Sequence, residues 1–590
     1  MSGRPLVIFD GQCGFCRIWI EYWKQLTGDR VDYAPSQEVG PQYPQIAAEA
    51  FSQSVQLAMP EGEIVSGARA VFLTLTFAPG LAWLLWVYER VPGFAPFSEA
   101  AYRLVASHRS FFYHVTRLTF GRRISPLRYA TVEWLFLRVL AAIYFIAFAS
   151  LAFQVSGLIG ARGILPAGRY LNAVHQTYGA RGYWLLPTVF WMAHGDVVLR
   201  AVCAAGAAVS ILLFFGYWER MSLACLYVLY LSLVGAGQDF LSFQWDMLLL
   251  ETGFLAIFLG SSRFVVLLFR CLLFRLMFLS GAVKLLSHDL SWRNLTAMSF
   301  HYMTQPLPTP IAWYMHQLPA VFQRFSTGAV LLIELIVPFL IFGPRPWRLV
   351  GAGFLLGLQA LIGLTGNYAF FNLLAVALCL FLFDDARLAR WKMPARRAQT
   401  KPIAVAVIAA VVLAVSLSEL SGVFLDSTPA SDRVLERWVT PFGIVNTYGL
   451  FAVMTTTRPE IAIQGSNDGV TWLDYRFRYK PGDLAKRPRW VAPYQPRLDW
   501  QMWFAALAGS EGTPWFGNFL VRLLQGSPEI EGLLAGNPFR AAPPRYVRAL
   551  LFDYSFTDFA ERRATGDWWK RRPLGVYFPA ISLDNVRQIP

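Results

Sequence analysis

Residues 243–319 read FQWDMLLLETGFLAIFLG (243–260), a short turn ending in Arg263, FVVLLFRCLLFRLMFLSGAVKLL (264–286) and SHDLSWRNLTAMSFHYMTQPLPTPIAWYMHQLP (287–319). Two hydrophobic segments of membrane-spanning length here carry Asp246, Glu251, Arg270, Arg275 and Lys284. A charge at bilayer depth costs at least a few kcal/mol unless it is paired or snorkels to a headgroup, so unneeded ones are rare. Leu248–Leu250 and Leu276–Leu279 leave these charges only the bundle interior or the headgroups. Interhelical salt bridges and helix-end anchors are the plainer reading. A proton- or ion-handling site built from Asp246, Glu251, Arg275, Lys284 and the later Glu334 is the sharper one.

The rest of the composition agrees with a membrane protein. The 590 residues are 55% hydrophobic and 15% charged, and the apolar residues come in long runs. The net charge of +15 is concentrated at 129–420, where 20 Lys/Arg face 11 Asp/Glu and so contribute +9. Basic residues between apolar runs are a topology signal, and a nucleic-acid partner is excluded on that ground. Apolar segments near 132–154, 197–217, 221–237, 243–260, 264–284, 326–342, 346–364, 370–383 and 402–420 predict about nine spans. GRRISPLR, YWER, SSR, GPRPWR and the loop 384–401 hold most of the Lys/Arg, whereas GAGQDFLSF and GNYA hold none. The positive-inside rule therefore predicts a cytoplasmic N-terminus and an exported C-terminus. MSGRPLVIFDG has no signal-peptide pattern, so the N-terminus is expected to stay where it is made.

FQWDMLLLETGFLA, LFRLMFLSGAVKL, LTAMSFHYMTQPLPTP and LTGNYAFFNLL resemble the lipase maturation factor family of polytopic membrane proteins. In residues 287–319, Pro306, Pro308 and Pro310 forbid a continuous helix, so the segment is expected to lie along the membrane face or to dip in and return. Its Trp292, Trp313, Tyr302 and Tyr314 suit an interfacial belt. His288, His301 and His316 lack metal-ligand spacing, and no metal is expected.

At the front, Leu6–Phe9 reads as a buried strand. Cys13-Gly14-Phe15-Cys16 then opens the periodic segment RIWIEYWKQL, which reads as a helix. A helix N-terminus stabilises a thiolate on the first cysteine, and the second sulfur can close a disulfide after exchange. Zinc needs further ligands, and residues 17–107 offer neither Cys nor His, so Cys13 and Cys16 are read as a redox pair. SVQLAMPEGEIVSGARAVFLTL follows as strand, turn, strand, helix. FDGQCGFC, SGARAV and VPGFAPFSEAAYRLVASHR resemble the DCC family of thiol-disulfide oxidoreductases, which implies a thioredoxin-like domain over 1–125. One departure is plain: thioredoxins place proline before the third strand, and here Ser54 precedes Val55.

After a membrane domain at 129–420, the region 421–590 has no cysteine and turns β-rich. GLFAVMT, EIAIQGS, WLDYRFRY after an Asp-Gly turn, and RYVRALLFDYSF read as strands, while 498–508 and 515–525 read as amphipathic helices. A β-sandwich-like domain with helical insertions is expected. IVNTYGLF, QPRLDWQMWFAAL, PWFGNFLVRLLQG and WWKRR extend the lipase maturation factor resemblance over about 130–585. No GxSxG elbow, phosphate-binding glycine loop or zinc signature is present, so neither a lipase activity nor a cofactor is expected.

The resemblance implies a multi-pass membrane folding factor, chaperone-like, for an exported client such as a lipase. Trp500, Trp503, Phe504 and Trp515 of the C-terminal domain, with Trp292 and Tyr302 of the membrane-adjacent loop, are the expected client contacts. The DCC-type fusion points to a bacterial inner membrane; in a eukaryotic chain the site becomes the endoplasmic reticulum membrane. Two alternatives stand beside it: a membrane-tethered thiol oxidoreductase, and a membrane enzyme or transporter using the intramembrane carboxylates.

Overall fold

The computed structural model describes residues 3–121, 124, 127–260, 263–386, 388, 402–425 and 436–586. Most of the basic loop 384–401, and part of GRRISPLR and SSR, lie outside the described residues. The chain forms two compact units. One comprises Met1–Arg128 with Phe342–Val350, the other Tyr129–Ile341 with Gly351–Pro590.

The first unit has a four-stranded sheet of order β2-β1-β3-β4. Strand β1 (Leu6–Phe9) runs parallel to β2 (Asp32–Pro35) through the crossover helix α1 (Gly14–Thr27), and β3 (Gln56–Ala58) and β4 (Ile64–Ser66) add antiparallel. Helices α2 (Gly67–Thr76), α3 (Phe94–Ser107) and α4 (Arg109–Phe120) complete it. Val7, Phe9, Ile20, Val31, Leu57 and Val65 fill the core, as alternation along short strands requires. This is the thioredoxin-like α/β arrangement expected from the sequence.

Among the described residues after Arg128, seven helices are long and apolar enough to cross a membrane. They are α5 (Ala130–Ala152), α6 (Asp196–Phe215), α7 (Glu219–Ala236), α9 (Arg263–Leu286), α12 (Ala320–Phe342), α13 (Arg345–Thr365) and α15 (Ile403–Phe424). Two of the nine expected segments form shorter helices, α8 (Gln244–Ala256) and α14 (Phe371–Leu382). At 1.5 Å per residue, the 13 residues of α8 rise about 20 Å, short of a hydrocarbon core of about 30 Å. Their burial in the bundle explains why they read as spans. Between α9 and α12 the chain folds as α10 (Ala297–Thr304) and α11 (Pro310–His316), broken at the prolines as expected.

The C-terminal region holds one antiparallel sheet of order β6-β5-β7-β8, formed by β5 (Pro459–Ser466), β6 (Leu473–Asp474), β7 (Tyr546–Phe556) and β8 (Trp569–Ile581). The β-sandwich expectation is corrected here: among the described residues no second sheet faces the first. Helices α16 (Arg497–Ala508) and α17 (Pro514–Leu524) pack against it, with Phe516 edge-on to Tyr577 at 5.0 Å. The segment GLFAVMT is an irregular chain, with bends and a left-handed Phe451 (φ 53°), and pairs with no strand among the described residues; side chains from the membrane region hold its backbone instead.

Three buried charge clusters join the C-terminal region to the bundle. Arg497 meets Asp246 through two hydrogen bonds of 2.9 and 2.8 Å, both side chains fully buried. Tyr230 donates to the same carboxylate at 2.5 Å, and Arg497 also donates to the Phe240 carbonyl at 2.6 Å. Glu251 pairs with Arg275 and accepts from Tyr448 Oη at 2.8 Å and the Asn446 amide at 3.1 Å. Arg458 donates to the carbonyls of Met303 at 2.7 Å, Gln305 at 2.5 Å and Pro306 at 2.8 Å, and Trp503 Nε1 donates to Thr304 O at 2.9 Å. The last carbonyls of α10 have no intrahelical partner, so a cation and an indole from the C-terminal region cap them.

Removing one partner from a buried ion pair strands the other charge. Arg497→Ala is therefore expected to cost about 3–5 kcal/mol of stability. Adding Asp246→Asn should restore part of that loss. Thermal unfolding of the detergent-solubilised chain reads both.

Candidate functional site

Two sites stand out, one in each unit. In the first, Cys13 is the N-cap of α1, and its Sγ accepts a hydrogen bond from the Cys16 amide at 3.3 Å. The Cys16 thiol also donates to it and Arg109 lies nearby, so the Cys13 thiol is lowered from 9.0 to about 6. Cys16 moves the other way, because it keeps the proton shared with Cys13 and is itself desolvated. Arg109 is fixed by Asp10 at 3.6 Å and by the Gln53 carbonyl at 2.8 Å. An attacking thiolate backed by a protonated resolving thiol is the arrangement that thiol–disulfide exchange needs. Sequence spacing identified both cysteines. It did not identify Arg109 or Tyr102, which come from helices α4 and α3 and reach the dithiol only through the fold.

In the second unit, a cleft of about 940 Å³ opens between the irregular segment 449–457 and helix α16. Trp500, Trp503, Phe504 and Trp515 line it, joined by Phe243 and Trp245 from the start of α8. Trp245 and Trp500 meet edge to face at 4.7 Å, and both indole N–H groups are buried with no partner among the described residues. Phe504 is 42% exposed, whereas Trp500, Trp503 and Trp515 are buried in the wall. On the facing side, the Val453 and Thr455 backbone groups make no hydrogen bond among the described residues.

Trp292 and Tyr302 do not line this cleft. With Lys284, His301 and Glu334 they surround a separate cavity of about 260 Å³. Trp292 Nε1 donates to the Phe451 carbonyl at 2.9 Å, so it holds segment 449–457 at that residue. Lys284 and Glu334 are paired at 2.7 Å. Asp246, Glu251 and Arg275 lie in the clusters described above.

Sequence reasoning missed the partner of Asp246. In the structure Arg275 is taken by Glu251, Lys284 by Glu334, and Arg270 by the Phe381 carbonyl and Tyr129, so the cation for Asp246 comes from outside the spans. The Arg before the apolar run LDWQMWFAALA supplies it. Trp245 was visible within FQWD, but its place opposite Trp500 was not.

A bundle of apolar helices, a β-containing region bound to it by buried charges, and a separate thioredoxin-like dithiol unit define a polytopic integral membrane protein with a fused oxidoreductase-type domain. The chain matches the family models of the lipase maturation factor transmembrane domain over residues 131–390, the lipase maturation factor C-terminal domain over 444–579, and a DCC1-like thiol-disulfide oxidoreductase over 7–114. Lipase maturation factor 1 of Bos taurus is 37% identical over 499 residues, covering 76% of this chain and 89% of that protein. Lipase maturation factor 2 of Gallus gallus is 35% identical over 586 residues, covering 76% and 81%. Lipase maturation factor 1 of Homo sapiens is 36% identical over 499 residues, covering 76% and 88%. The chain belongs to the lipase maturation factor family, as FQWDMLLLETGFLA and its companion strings lead one to expect. No solved structure matches it.

Alkylation of Cys13 by iodoacetamide is expected to rise with pH to half its maximum near pH 6, the value its surroundings set. Cys16→Ala removes the strongest donor and should move that midpoint up towards the ordinary thiol range. An unchanged midpoint would show that Cys16 does not hold the thiolate.

Proposed function

We propose that this chain is a membrane-embedded maturation factor for exported proteins, a lipase foremost, and that the cleft beside α16 holds extended segments of the client as it folds. The observation that carries this reading is the pairing of two features across one cleft. One wall is aromatic, with Phe504 exposed and Trp245 and Trp500 packed behind it; the other is an irregular backbone whose Val453 and Thr455 groups make no hydrogen bond among the described residues. An extended peptide laid against such a backbone gains main-chain hydrogen bonds, and its alternate side chains meet the aromatic wall. The names of the relatives, lipase maturation factors, supply the client class.

On this reading Trp500, Trp503, Phe504 and Trp515 contact the client. Trp292 and Tyr302 act from the adjoining cavity by fixing the segment that ends the cleft. The intramembrane charges serve assembly: Asp246, Glu251 and Glu334 each have a cation partner within hydrogen-bonding reach, which disfavours a transport or proton-relay role. We assign residues 1–125 to a cytoplasmic dithiol domain, 129–420 to the membrane domain and 421–590 to the exported side of a bacterial inner membrane. The distribution of Lys/Arg between spans supports that orientation.

Phe504 is exposed enough to change without disturbing the core, so Phe504→Asp tests the cleft directly. Specific activity of a co-expressed secreted lipase is expected to fall at least about 10-fold, the loss of one interface anchor worth more than about 1.4 kcal/mol. Val470→Ser, on the exposed turn between β5 and β6, should leave it unchanged. Normal lipase maturation by the Phe504→Asp variant, present in the membrane at normal level, would refute the cleft as the client site. For orientation, protease added to cytosol-side-out vesicles should spare residues 430–590; their digestion in intact vesicles would reverse the assignment.

A further inference from the structure

We propose that the Cys13–Cys16 dithiol acts on a small apolar disulfide bound in the pocket beside α3, and not on a disulfide in an extended polypeptide. This deepens the reading of residues 7–114 as a thiol–disulfide oxidoreductase and rests on it.

The first argument is the backbone opposite the dithiol. An extended peptide docks on a protein edge by pairing with free main-chain donors and acceptors. At residues 54–55 those groups are already used. The Ser54 amide donates to Ala50 O at 2.9 Å, and Ser54 O accepts from Gln56 Nε2 at 3.4 Å. The Val55 amide donates to Tyr102 Oη at 2.8 Å, and Val55 O accepts from the Gly67 amide at 3.2 Å. Tyr102 belongs to α3, so the hydrogen bond that blocks this strand end also anchors that helix beside the cysteines.

The second argument is what the helix encloses. A pocket of about 370 Å³ lies under α3, with Cys16 and Asp10 on its edge and Trp19, Phe51, Phe72 and Val105 in its walls. Ser54, Ser98, Tyr102 and Arg109 also line it, and most of the remaining surface is apolar. A compact apolar disulfide fits this chemistry: its hydrocarbon arm displaces water from the walls, and its sulfur pair rests at the cysteine edge.

The reaction balances without a further reagent. The Cys13 thiolate attacks one sulfur of R–S–S–R′, forming Cys13–S–S–R and releasing R′S⁻. The Cys16 thiol loses its proton to solvent and attacks the Cys13 sulfur. This forms the Cys13–Cys16 disulfide and expels RS⁻. One substrate disulfide is reduced to two thiols, and one protein dithiol is oxidised.

The test uses the reduced full chain in detergent and two dialkyl disulfides of similar intrinsic reactivity, di-n-butyl disulfide and bis(2-hydroxyethyl) disulfide, with free cysteine as the reference thiol. A disulfide-bridged extended peptide is the third substrate. Oxidation is read as the loss of two hydrogens by mass spectrometry. After normalisation to free cysteine, the butyl compound is expected to react at least about 10-fold faster than the hydroxyethyl one, and faster than the peptide. Val105→Phe, or Ala101→Phe should the first variant fold poorly, fills the pocket and should abolish that preference. The pH profile of Cys13 alkylation should stay in place and report an intact dithiol. Tyr102→Phe frees the Val55 amide and should raise the peptide rate. Equal normalised rates for the two dialkyl disulfides, or a preference that survives Val105→Phe, would overturn the pocket assignment alone. Failure of every disulfide to produce the two-hydrogen loss would overturn the oxidoreductase reading with it.

Discussion

A carboxylate buried among apolar helices must find a cation, and for Asp246 that cation arrives from 251 residues away. The Asp246–Arg497 pair fixes the relation between the bundle and the C-terminal region more firmly than any apolar contact can. Apolar contacts tolerate sliding, whereas a two-bond guanidinium–carboxylate pair with both groups desolvated has one geometry. Glu251, with Arg275, Asn446 and Tyr448, and Arg458 on the carbonyls of α10, repeat the device at two further points. The C-terminal region is thereby seated on the helices with its register specified.

That seating creates the aromatic cleft. Trp245 belongs to α8 and Trp500 to α16, and they meet because Arg497, the first residue of α16, pairs with Asp246, the residue next to Trp245. The irregular segment 449–457 is held by Ser287, Asp289 and Trp292, which occupy some of its backbone groups and leave Val453 and Thr455 open. A chain segment that is anchored and still has unpaired backbone groups differs from a flexible loop, because the entropy of ordering it is already lost before a ligand arrives.

The dithiol unit follows a different logic. Its chemistry is local: helix α1 begins at Cys13, and four residues contain the nucleophile, the resolving thiol and the amide that orients them. What surrounds that chemistry is not local. Helices α3 and α4 bring Tyr102 and Arg109 to it, closing off the strand end and adding a cation.

The sequence by itself determined the membrane class, the family, the thioredoxin-like order of strands and helices around CxxC, and the presence of charges that must be buried. Those features rest on short-range periodicity, composition and spacing, which a linear reading contains. All nine of its apolar segments form helices, seven of them long enough to cross a membrane and two, α8 and α14, shorter; a helix buried inside protein and one buried in lipid are equally apolar. It also read GLFAVMT as a paired strand and the C-terminal region as a sandwich, since β-propensity reports a pleated, half-buried surface without saying what covers it. Only the tertiary structure decided which cation answers Asp246, that Trp245 faces Trp500, and that Trp292 and Tyr302 border a different cavity from Trp503 and Phe504. Each of these joins residues hundreds of positions apart, and the energy that selects one pairing over another exists only once both groups have left water together.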